Sequence, residues 1–223
     1  MRLCMFHPND NPLERGWVGR IEEDRMLHLA AQTLQSFFLV GGGSRVHAEY
    51  PLADVTLLVP VQYPPTLRIF DDAGSFRFAN STAVVGTNVA VSGMHLSAQA
   101  RIAVVIGADG EIGGTTAMVE WRDPAELPGV KQSDFGIVLG PVVVTPDETA
   151  AATLACRLSA GDRSAEGAPQ AFSWAEELAL AGHRTKLRPG DVIAGPPVVV
   201  LDGVDDDALL EVDGIGALAC PLQ

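Results

Sequence analysis

Gln99 and Arg101 stand two residues apart at the start of an apolar segment, Ala100–Gly107 (ARIAVVIG). In a β-strand, side chains two residues apart lie on the same face, so both groups should point to one side of one strand. Gln is a weak neutral oxygen ligand, and Arg carries donors but no acceptor. The pair is therefore poorly suited to a divalent metal ion, which prefers carboxylate oxygens and water. A fixed cation here favours an anionic or enolate-like oxygen instead.

Lys131 is a second candidate cation, because lysine is scarce in this chain. Lys131 and Lys186 are its two lysines, against thirteen arginines. Asp134 follows Lys131 by three residues, just before the apolar segment Ile137–Leu139. Two interpretations stay open: Lys131 is a surface residue of the loop before a strand, or it is a cation beside a binding pocket.

The histidines and cysteines form no chemical pattern. His95 stands alone near a strand start, and the other four histidines have no neighbours that form a pattern with them. Cys4, Cys156 and Cys220 are widely spaced without a CxxC, so neither a zinc site nor a redox motif is indicated. We expect buried free thiols in a reducing compartment, which favours a cytoplasmic protein.

Composition excludes several classes of function. The chain has 223 residues, a net charge of −13 and 47% hydrophobic residues, which fits one domain or one domain with a small appendage. The acidic balance disfavours nucleic acid and anionic membrane surfaces as partners, because both require basic residues. No apolar run is long enough for a transmembrane helix, and the first ten residues show no signal peptide.

The pattern of elements predicts a mainly β, α+β fold. Residues 1–62 are expected to form a small N-terminal α/β unit, with strands at Met1–Phe6 and Gly16–Ile21 and a helix over Leu27–Phe38. After a linker at Tyr63–Pro65, residues 63–223 form a second domain. It is a series of short β-branched or apolar strands separated by Gly, Pro, Asn and Asp. Its predicted strands are Thr66–Phe70, Phe76–Phe78, Ala83–Val85, Asn88–Val91, Ala100–Ile106, Thr115–Trp121, Ile137–Leu139, Val142–Val144, Leu154–Leu158, Val192–Ile193, Val198–Leu201 and Leu209–Val212.

Two local signals complete this pattern. Ser173 is a suitable N-cap for a helix over Trp174–Ala181, with Glu176 at the third helical position. Asp71 and Asp72 precede Ala73-Gly74 and are expected to close a turn.

Several segments, in this order, resemble the fumarylacetoacetate hydrolase superfamily. Pro64–Ile69 is similar to its opening strand, Lys131–Pro141 (KQSDFGIVLGP) to its K-S-F-D…L-G-P segment, and Leu187–Ile193 (LRPGDVI) to L-x-P-G-D-V-I. Ala100–Gly107 resembles the strand that carries E-x-E. The resemblance covers residues 64–223 and implies a mixed β-sandwich roll. It also implies a small-molecule substrate of the 2-oxo or 1,3-dicarbonyl class, and a homodimer.

The departures from this family concern its chemistry. Its divalent metal is held by two Glu in E-x-E and one Asp, and the matching positions here are Gln99, Arg101 and Glu120. The family's G-x-N-Y-x-x-H-x-x-E segment, thought to activate water, is missing between Asp71 and Gly74. Its substrate-binding Thr-Pro-Gly-Gly loop reads Pro196-Pro197-Val198-Val199. We therefore expect no bound metal and no cofactor.

The resemblance also assigns roles to the residues that remain. Lys131, Arg101 and Glu120 are the candidate catalytic residues, and Gln99, Asp134 and Trp121 the candidate substrate-binding residues. Trp121 would fill space that the metal shell and substrate occupy in relatives, although core packing explains it equally well. An inward-facing Arg requires a partner, so we predict a buried ion pair between Arg101 and Glu120.

Three functions stay open at this stage. The first is an enzyme with a metal-free cationic pocket that performs isomerase, lyase or cyclase chemistry. The second is a catalytically inactive binding or scaffold subunit. The third is an ordinary metal-dependent hydrolase or decarboxylase in which Glu111, Glu120 and Asp123 replace the family's ligands.

Overall fold

The computed structural model describes residues 1–126, 128–149, 154–169 and 172–223. Within these ranges, β-strands dominate and there are two α-helices. The helices are α1 (Leu34–Leu39) and α2 (Trp174–Gly182). The strands are β1 (Arg2–Pro8), β2 (Trp17–Glu22), β3 (Arg25–Leu29), β4 (Val46–Pro51), β5 (Val55–Leu58), β6 (Leu67–Asp72), β7 (Ser75–Phe78), β8 (Val84–Val85), β9 (Leu96–Ile106), β10 (Ile112–Arg122), β11 (Ile137–Val144), β12 (Cys156–Ala160), β13 (Arg163–Gly167), β14 (Val192–Val204), β15 (Ala208–Val212) and β16 (Gly216–Cys220).

These strands form two sheets that pack against each other. The larger sheet has the order β4-β3-β2-β1-β11-β10-β9-β14-β6-β7, with β5 added to β1 and β8 to β11. The smaller sheet has the order β13-β12-β15-β16. One buried cluster joins both sheets, since Ile102 and Val104 of the larger sheet belong to the same core as Leu158 and Leu210 of the smaller one. The predicted mainly β fold with mixed sheets is confirmed.

The central strands β9, β10 and β11 are covered on both faces. Every residue of β11 is buried, and so are most residues of β9 and β10. Strands covered on both faces appear in sequence as nearly continuous apolar runs, which is why these segments are easy to recognise. A polar side chain on such a strand must therefore find its partners inside the protein.

The N-terminal segment differs from its prediction at the helix. Residues from Arg25 to Leu29 form β3, which pairs with both β2 and β4, and α1 begins only at Leu34. Thr33 caps this helix, because its hydroxyl accepts from the Ser36 amide at 3.1 Å. Strand β1 pairs with β11 through Leu3 and Val143, so residues 1–62 extend the larger sheet. The domain boundary at residues 62 and 63 stays a prediction.

Other differences concern strand limits. The two segments predicted on either side of Gly140-Pro141 form one strand, β11, and β14 likewise runs without a break through Pro196-Pro197. Residues 88–91 form no strand, although Val91 makes a single bridge to Leu222. Strands β4, β5 and β13 were not predicted as such. The Ser173 cap of α2 is confirmed, since its hydroxyl accepts from the Glu176 amide at 3.4 Å.

The hairpin of β6 and β7 is the element that completes the candidate site. Asp72 pairs with Ser75 around a two-residue turn at Ala73-Gly74, and Gly74 adopts a φ of +81° that suits glycine. Asp71 therefore lies within β6, so its predicted role in closing the turn is wrong. Glu177 of α2 accepts from the Gly74 amide at 2.9 Å and holds the hairpin tip.

None of the helices in the described ranges is long and apolar enough to cross a membrane.

Candidate functional site

Strands β9 and β10 present Gln99, Arg101 and Glu120 on one face of the larger sheet. Gln99 pairs directly with Glu120 in the antiparallel ladder, while Arg101 pairs with Met118, so Arg101 and Glu120 are diagonal neighbours. Cross-strand diagonal neighbours are within reach of long side chains. Gln99 and Arg101 therefore lie on the same face of β9, as their spacing in the sequence predicted.

Arg101 and Glu120 form the predicted ion pair. Arg101 Nη2 lies 3.0 Å from Glu120 Oε2, and both side chains are fully buried. No donor in the described residues is aligned on Oε2 for a hydrogen bond, so this is a close charge contact and not an aligned hydrogen bond. Such a pair is strongly coupled, because water cannot screen the two charges.

The remaining donors of Arg101 are almost all engaged. Its Nη1 donates to the carbonyl oxygens of Phe70, at 2.9 Å, and Gly195, at 3.0 Å. Its Nη2 also donates to Asp71 Oδ1 at 2.7 Å and to Gln99 Oε1 at 2.6 Å. Only Nε lacks a partner among the described residues. Arg101 therefore serves as an internal anchor with little capacity to bind a ligand directly.

Arg77 completes the network, and sequence reasoning missed it. Its Nε donates to Asp71 Oδ2 at 2.9 Å, and its Nη2 donates to Glu120 Oε1. Arg77 and Arg101 thus alternate with Asp71 and Glu120 in a closed ring, which we call the four-charge ring. The available signal was Arg77 itself, a cation between Phe76 and Phe78 in a predicted strand. Its partners depend on the hairpin, which brings β7 beside β6.

The pKa values in the ring respond to burial and to charge in opposite directions. Burial by itself raises the pKa of Asp71, but hydrogen bonds from Arg77 and Arg101 and their charges lower it below its ordinary value. Burial by itself lowers the pKa of Arg77, but the charges of Glu120 and Asp71 outweigh the effect of burial, so the pKa of Arg77 is raised. For the more deeply buried Arg101, burial is the dominant effect and the pKa falls. Asp71 is therefore a poor base.

A cleft of about 300 Å³ opens beside the four-charge ring. Arg77 is the cation of the ring that reaches it, with 31% of its side chain exposed. Phe78 and Val130 supply an exposed apolar wall, at 62% and 72% exposure. Its lining residues are Asp71, Arg77, Phe78, Ala79, Asn80, Arg122, Gly129, Val130, Ser133 and Asp134.

Lys131 and Asp134 lie at the rim of this cleft. Lys131 Nζ is 2.8 Å from Asp134 Oδ2, and 79% of the lysine side chain is exposed. The hydrogen bond and charge of Asp134 raise the pKa of Lys131. The backbone carbonyl of Asp134 also accepts from Asn80 Nδ2 at 2.9 Å. The structure does not bring Lys131 into contact with Arg101 or Glu120, so the candidate catalytic set is divided between rim and interior.

Trp121 does not belong to this site. It follows Glu120 in β10, so its side chain lies on the opposite face of the sheet, in the core shared by the two sheets. The side chain is fully buried, and it packs against Gly136. Trp121 is therefore a core-packing residue, which was one of its two interpretations. The other interpretation, a residue that binds the substrate, is wrong.

The three residues that the sequence resemblance matches to metal ligands do not fit a divalent cation. Glu120 supplies the one carboxylate of the three matching positions, and two guanidinium groups already neutralise it. Gln99 Oε1 is occupied by Arg101, whose own charge would repel a metal ion. In the described ranges, no group of three or more His, Cys, Asp and Glu is arranged to hold a metal ion.

The alternative ligand set also fails on geometry. Glu111 precedes the first residue of β10 and Glu120 is near its last, which separates them by about 30 Å at about 3.3 Å per residue. Asp123 Oδ1 accepts from the Ala125 amide at 2.8 Å within its own turn. Glu111, Glu120 and Asp123 therefore cannot share one ion.

The full length of the chain matches several solved structures at low sequence identity. The maleylpyruvate hydrolase of Sphingobium sp. SYK-6 has 22% identity and a TM-score of 0.80, with coverage of 100% of this chain and 99% of the hydrolase. The 5-carboxymethyl-2-hydroxymuconate delta-isomerase of Mycobacterium smegmatis has 20% identity and a TM-score of 0.80, with the same coverage. A 2-keto-3-deoxy-D-arabinonate dehydratase has 15% identity, a TM-score of 0.80 and again the same coverage.

These likenesses confirm the predicted fold. Over its full length, N-terminal residues included, the chain has the fold of these enzymes, the fold that the resemblance to the fumarylacetoacetate hydrolase superfamily implied. No protein-family model and no curated protein matches the chain. A further structure of the Sphingobium hydrolase is described as a complex with manganese(II) ion and pyruvate.

Proposed function

On the basis of this fold, we propose that the chain binds a small 2-oxo or 1,3-dicarbonyl acid in the cleft beside Arg77 and acts on it without a metal ion. The observation that carries the proposal is the buried ion pair of Arg101 and Glu120, which stands where relatives are expected to place metal ligands. Arg77 lies between this pair and the cleft. The ring thus offers the ligand a fixed cation in place of a metal.

The chemistry assigned to Arg77 is stabilisation of an enolate oxygen. A preorganised cation aimed at developing negative charge lowers the barrier to enolate formation. Its partners Asp71 and Glu120 hold the guanidinium in place, so little reorganisation is needed when the ligand arrives. Reactions that pass through an enolate, such as isomerisation and decarboxylation, suit this arrangement.

Asp71 is a weak base, and this limits the substrates from which it can remove a proton. Asp71 is the carboxylate of the ring that reaches the cleft, and its pKa is lowered by two guanidinium groups. Efficient general bases have a pKa near the working pH, so Asp71 removes a proton only from an acidic carbon. A 1,3-dicarbonyl acid, whose central carbon is flanked by two carbonyl groups, meets this requirement better than a simple 2-oxo acid.

A second candidate function is a binding or scaffold subunit without catalysis. The saturation of Arg101 favours it, because this residue already contacts Phe70, Gly195, Gln99, Asp71 and Glu120. In this proposal the four-charge ring only replaces the structural contribution of the metal. The cleft still binds a small acid but lacks a reactive group.

One experiment separates the two candidates. The ligand is 2,4-dioxopentanoate, in buffer with a chelator, with binding measured by calorimetry and keto–enol interconversion by ultraviolet absorbance. Binding with faster interconversion, lost in Arg77→Gln, supports the enzyme. Binding without faster interconversion supports the binding subunit, and no binding overturns both. The Arg157→Gln variant, on β12 of the smaller sheet, is the matched control.

The assembly and location expected from the sequence remain part of this proposal. We propose a homodimer in the cytoplasm, and light scattering coupled to size-exclusion chromatography tests the dimer directly. A mass of one chain at micromolar concentration contradicts it.

A further inference from the structure

Among the described residues of the cleft, Arg122 is a cation without a carboxylate in ion-pair contact. It lies two residues after Glu120 on the same face of β10, about 7 Å further along the strand. Its Nη2 donates to Gln132 Oε1 at 2.6 Å, a neutral partner, and no carboxylate of the described residues is in ion-pair contact with it. Its other donors have no hydrogen-bond partner within the described ranges.

The other charges of the cleft cancel in pairs. Arg77 and Arg101 are balanced by Asp71 and Glu120 within the four-charge ring. Lys131 and Asp134 balance each other at the rim. Arg122 therefore differs from the other cations of the cleft in having no carboxylate in ion-pair contact within the described residues, although the chain as a whole carries −13. A local positive charge in an acidic protein concentrates anions at that place.

The position of Arg122 is fixed by its surroundings. Gln132 belongs to the short 3₁₀ turn Val130–Gln132, and its backbone carbonyl accepts from the Asp123 amide at 2.8 Å. Asp123, the residue after Arg122, is thus hydrogen-bonded to Gln132, the residue that also binds the guanidinium of Arg122. A guanidinium held in this way loses little conformational entropy when it binds a ligand.

We propose that Arg122 is the carboxylate-binding residue of the cleft and makes it specific for acids over neutral dicarbonyl compounds. The inference rests on the proposed function and assigns a separate task to each cation. Arg122 holds the carboxylate, which its planar fork can bind bidentately, while Arg77 faces the carbonyl oxygen. Lys131 is less suited to this task, because it is mostly exposed and already paired with Asp134.

The test compares 2,4-dioxopentanoate with 2,4-pentanedione, a neutral analogue that lacks the carboxylate. Calorimetric dissociation constants are measured for the wild type and for Arg122→Gln, Arg122→Lys, Arg77→Gln and the control Arg157→Gln. We expect the wild type to prefer the acid, and Arg122→Gln to lose about 10–100-fold in affinity for the acid alone. Arg122→Lys should restore part of this loss, and Arg77→Gln should weaken both ligands.

Each outcome bears on one statement. An unchanged preference for the acid in Arg122→Gln overturns the assignment of Arg122 and leaves the proposed function standing. Equal loss of both ligands in that variant also overturns it, because the residue then acts on the shape of the cleft. Circular dichroism confirms that each variant is folded. If the wild type binds neither ligand, the proposed function fails and this inference fails with it.

Discussion

The guanidinium of Arg101 lies 3.0 Å from the carboxylate of Glu120, and solvent reaches neither side chain. Two opposite charges have thus been taken out of water together. Removing Arg101 leaves the buried Glu120 with Arg77 as its counter-charge in a medium of low dielectric. This loss costs more than the pair itself contributes. The interaction between Arg101 and Glu120 can therefore be measured from the free energies of unfolding of single and double variants.

The Arg101→Ala variant should unfold more easily by about 3–5 kcal/mol, because it leaves Glu120 buried with one fewer cation. Removing Glu120 as well, in Arg101→Ala with Glu120→Ala, should cost less than the sum of the two single changes. Urea denaturation of the four proteins completes the cycle. Additive costs would show that the two side chains do not interact, and Arg157→Ala measures the effect of losing an exposed arginine.

Asp71 should make the stability of the protein depend on pH in the acidic range. Its pKa is lowered in the folded state, so its stabilising contribution is complete above its ordinary pKa of about 4. The contribution is lost as the pH falls through the lower folded value. Unfolding by urea, measured from pH 6 downwards, should show the wild type losing its advantage over Asp71→Asn below about pH 4. An advantage that stays constant in this range would contradict the proposed role.

Purified protein should contain no stoichiometric Mg²⁺, Mn²⁺ or Zn²⁺ at the four-charge ring. Glu120 is already shared by two guanidinium groups, and Gln99 bonds to Arg101. Elemental analysis after gel filtration measures the content directly, and Mn²⁺ should leave the melting temperature unchanged. About one metal per chain in the wild type, lost in Glu120→Ala, is the result that would refute this prediction.

Acylpyruvate hydrolysis and oxaloacetate decarboxylation should stay near the background rate, with or without added Mn²⁺. The sequence lacks the family's His/Glu segment between Asp71 and Gly74, and general acid–base catalysis alone contributes about 10²–10⁴ in rate. Spectrophotometric assays at high enzyme concentration check both reactions. Metal-stimulated turnover that survives a second purification, and that Arg77→Gln abolishes, would show that the site is an ordinary hydrolase.

The sequence predicts the fold better than the site, and the reason lies in the kinds of contact involved. Alternation along one strand is a local property, so the shared face of Gln99 and Arg101 could be predicted from spacing alone. The turn that brings β7 beside β6 could be predicted locally, but the contact of Arg77 with Glu120 joins residues 43 positions apart, which no local pattern encodes. The helix expected over Leu27–Phe38 failed for a related reason. Pairing of β3 with strands on both sides decided the structure of its first residues.

The sequence pointed to Lys131 as a cation that binds the ligand, whereas the structure points to Arg77. Measuring ligand binding in variants of the two residues decides between them. Lys131 is exposed at the rim and neutralised by Asp134, so Lys131→Gln should weaken binding of 2,4-dioxopentanoate by less than about threefold, as expected for a screened surface charge. Arg77→Gln removes the cation at the floor of the cleft and should weaken binding by about tenfold or more. Calorimetry at low and high salt distinguishes the two effects, because only the exposed charge should respond strongly to ionic strength. A larger loss of affinity in Lys131→Gln than in Arg77→Gln would contradict this prediction. It would show that the ligand binds at Lys131 and not at the four-charge ring.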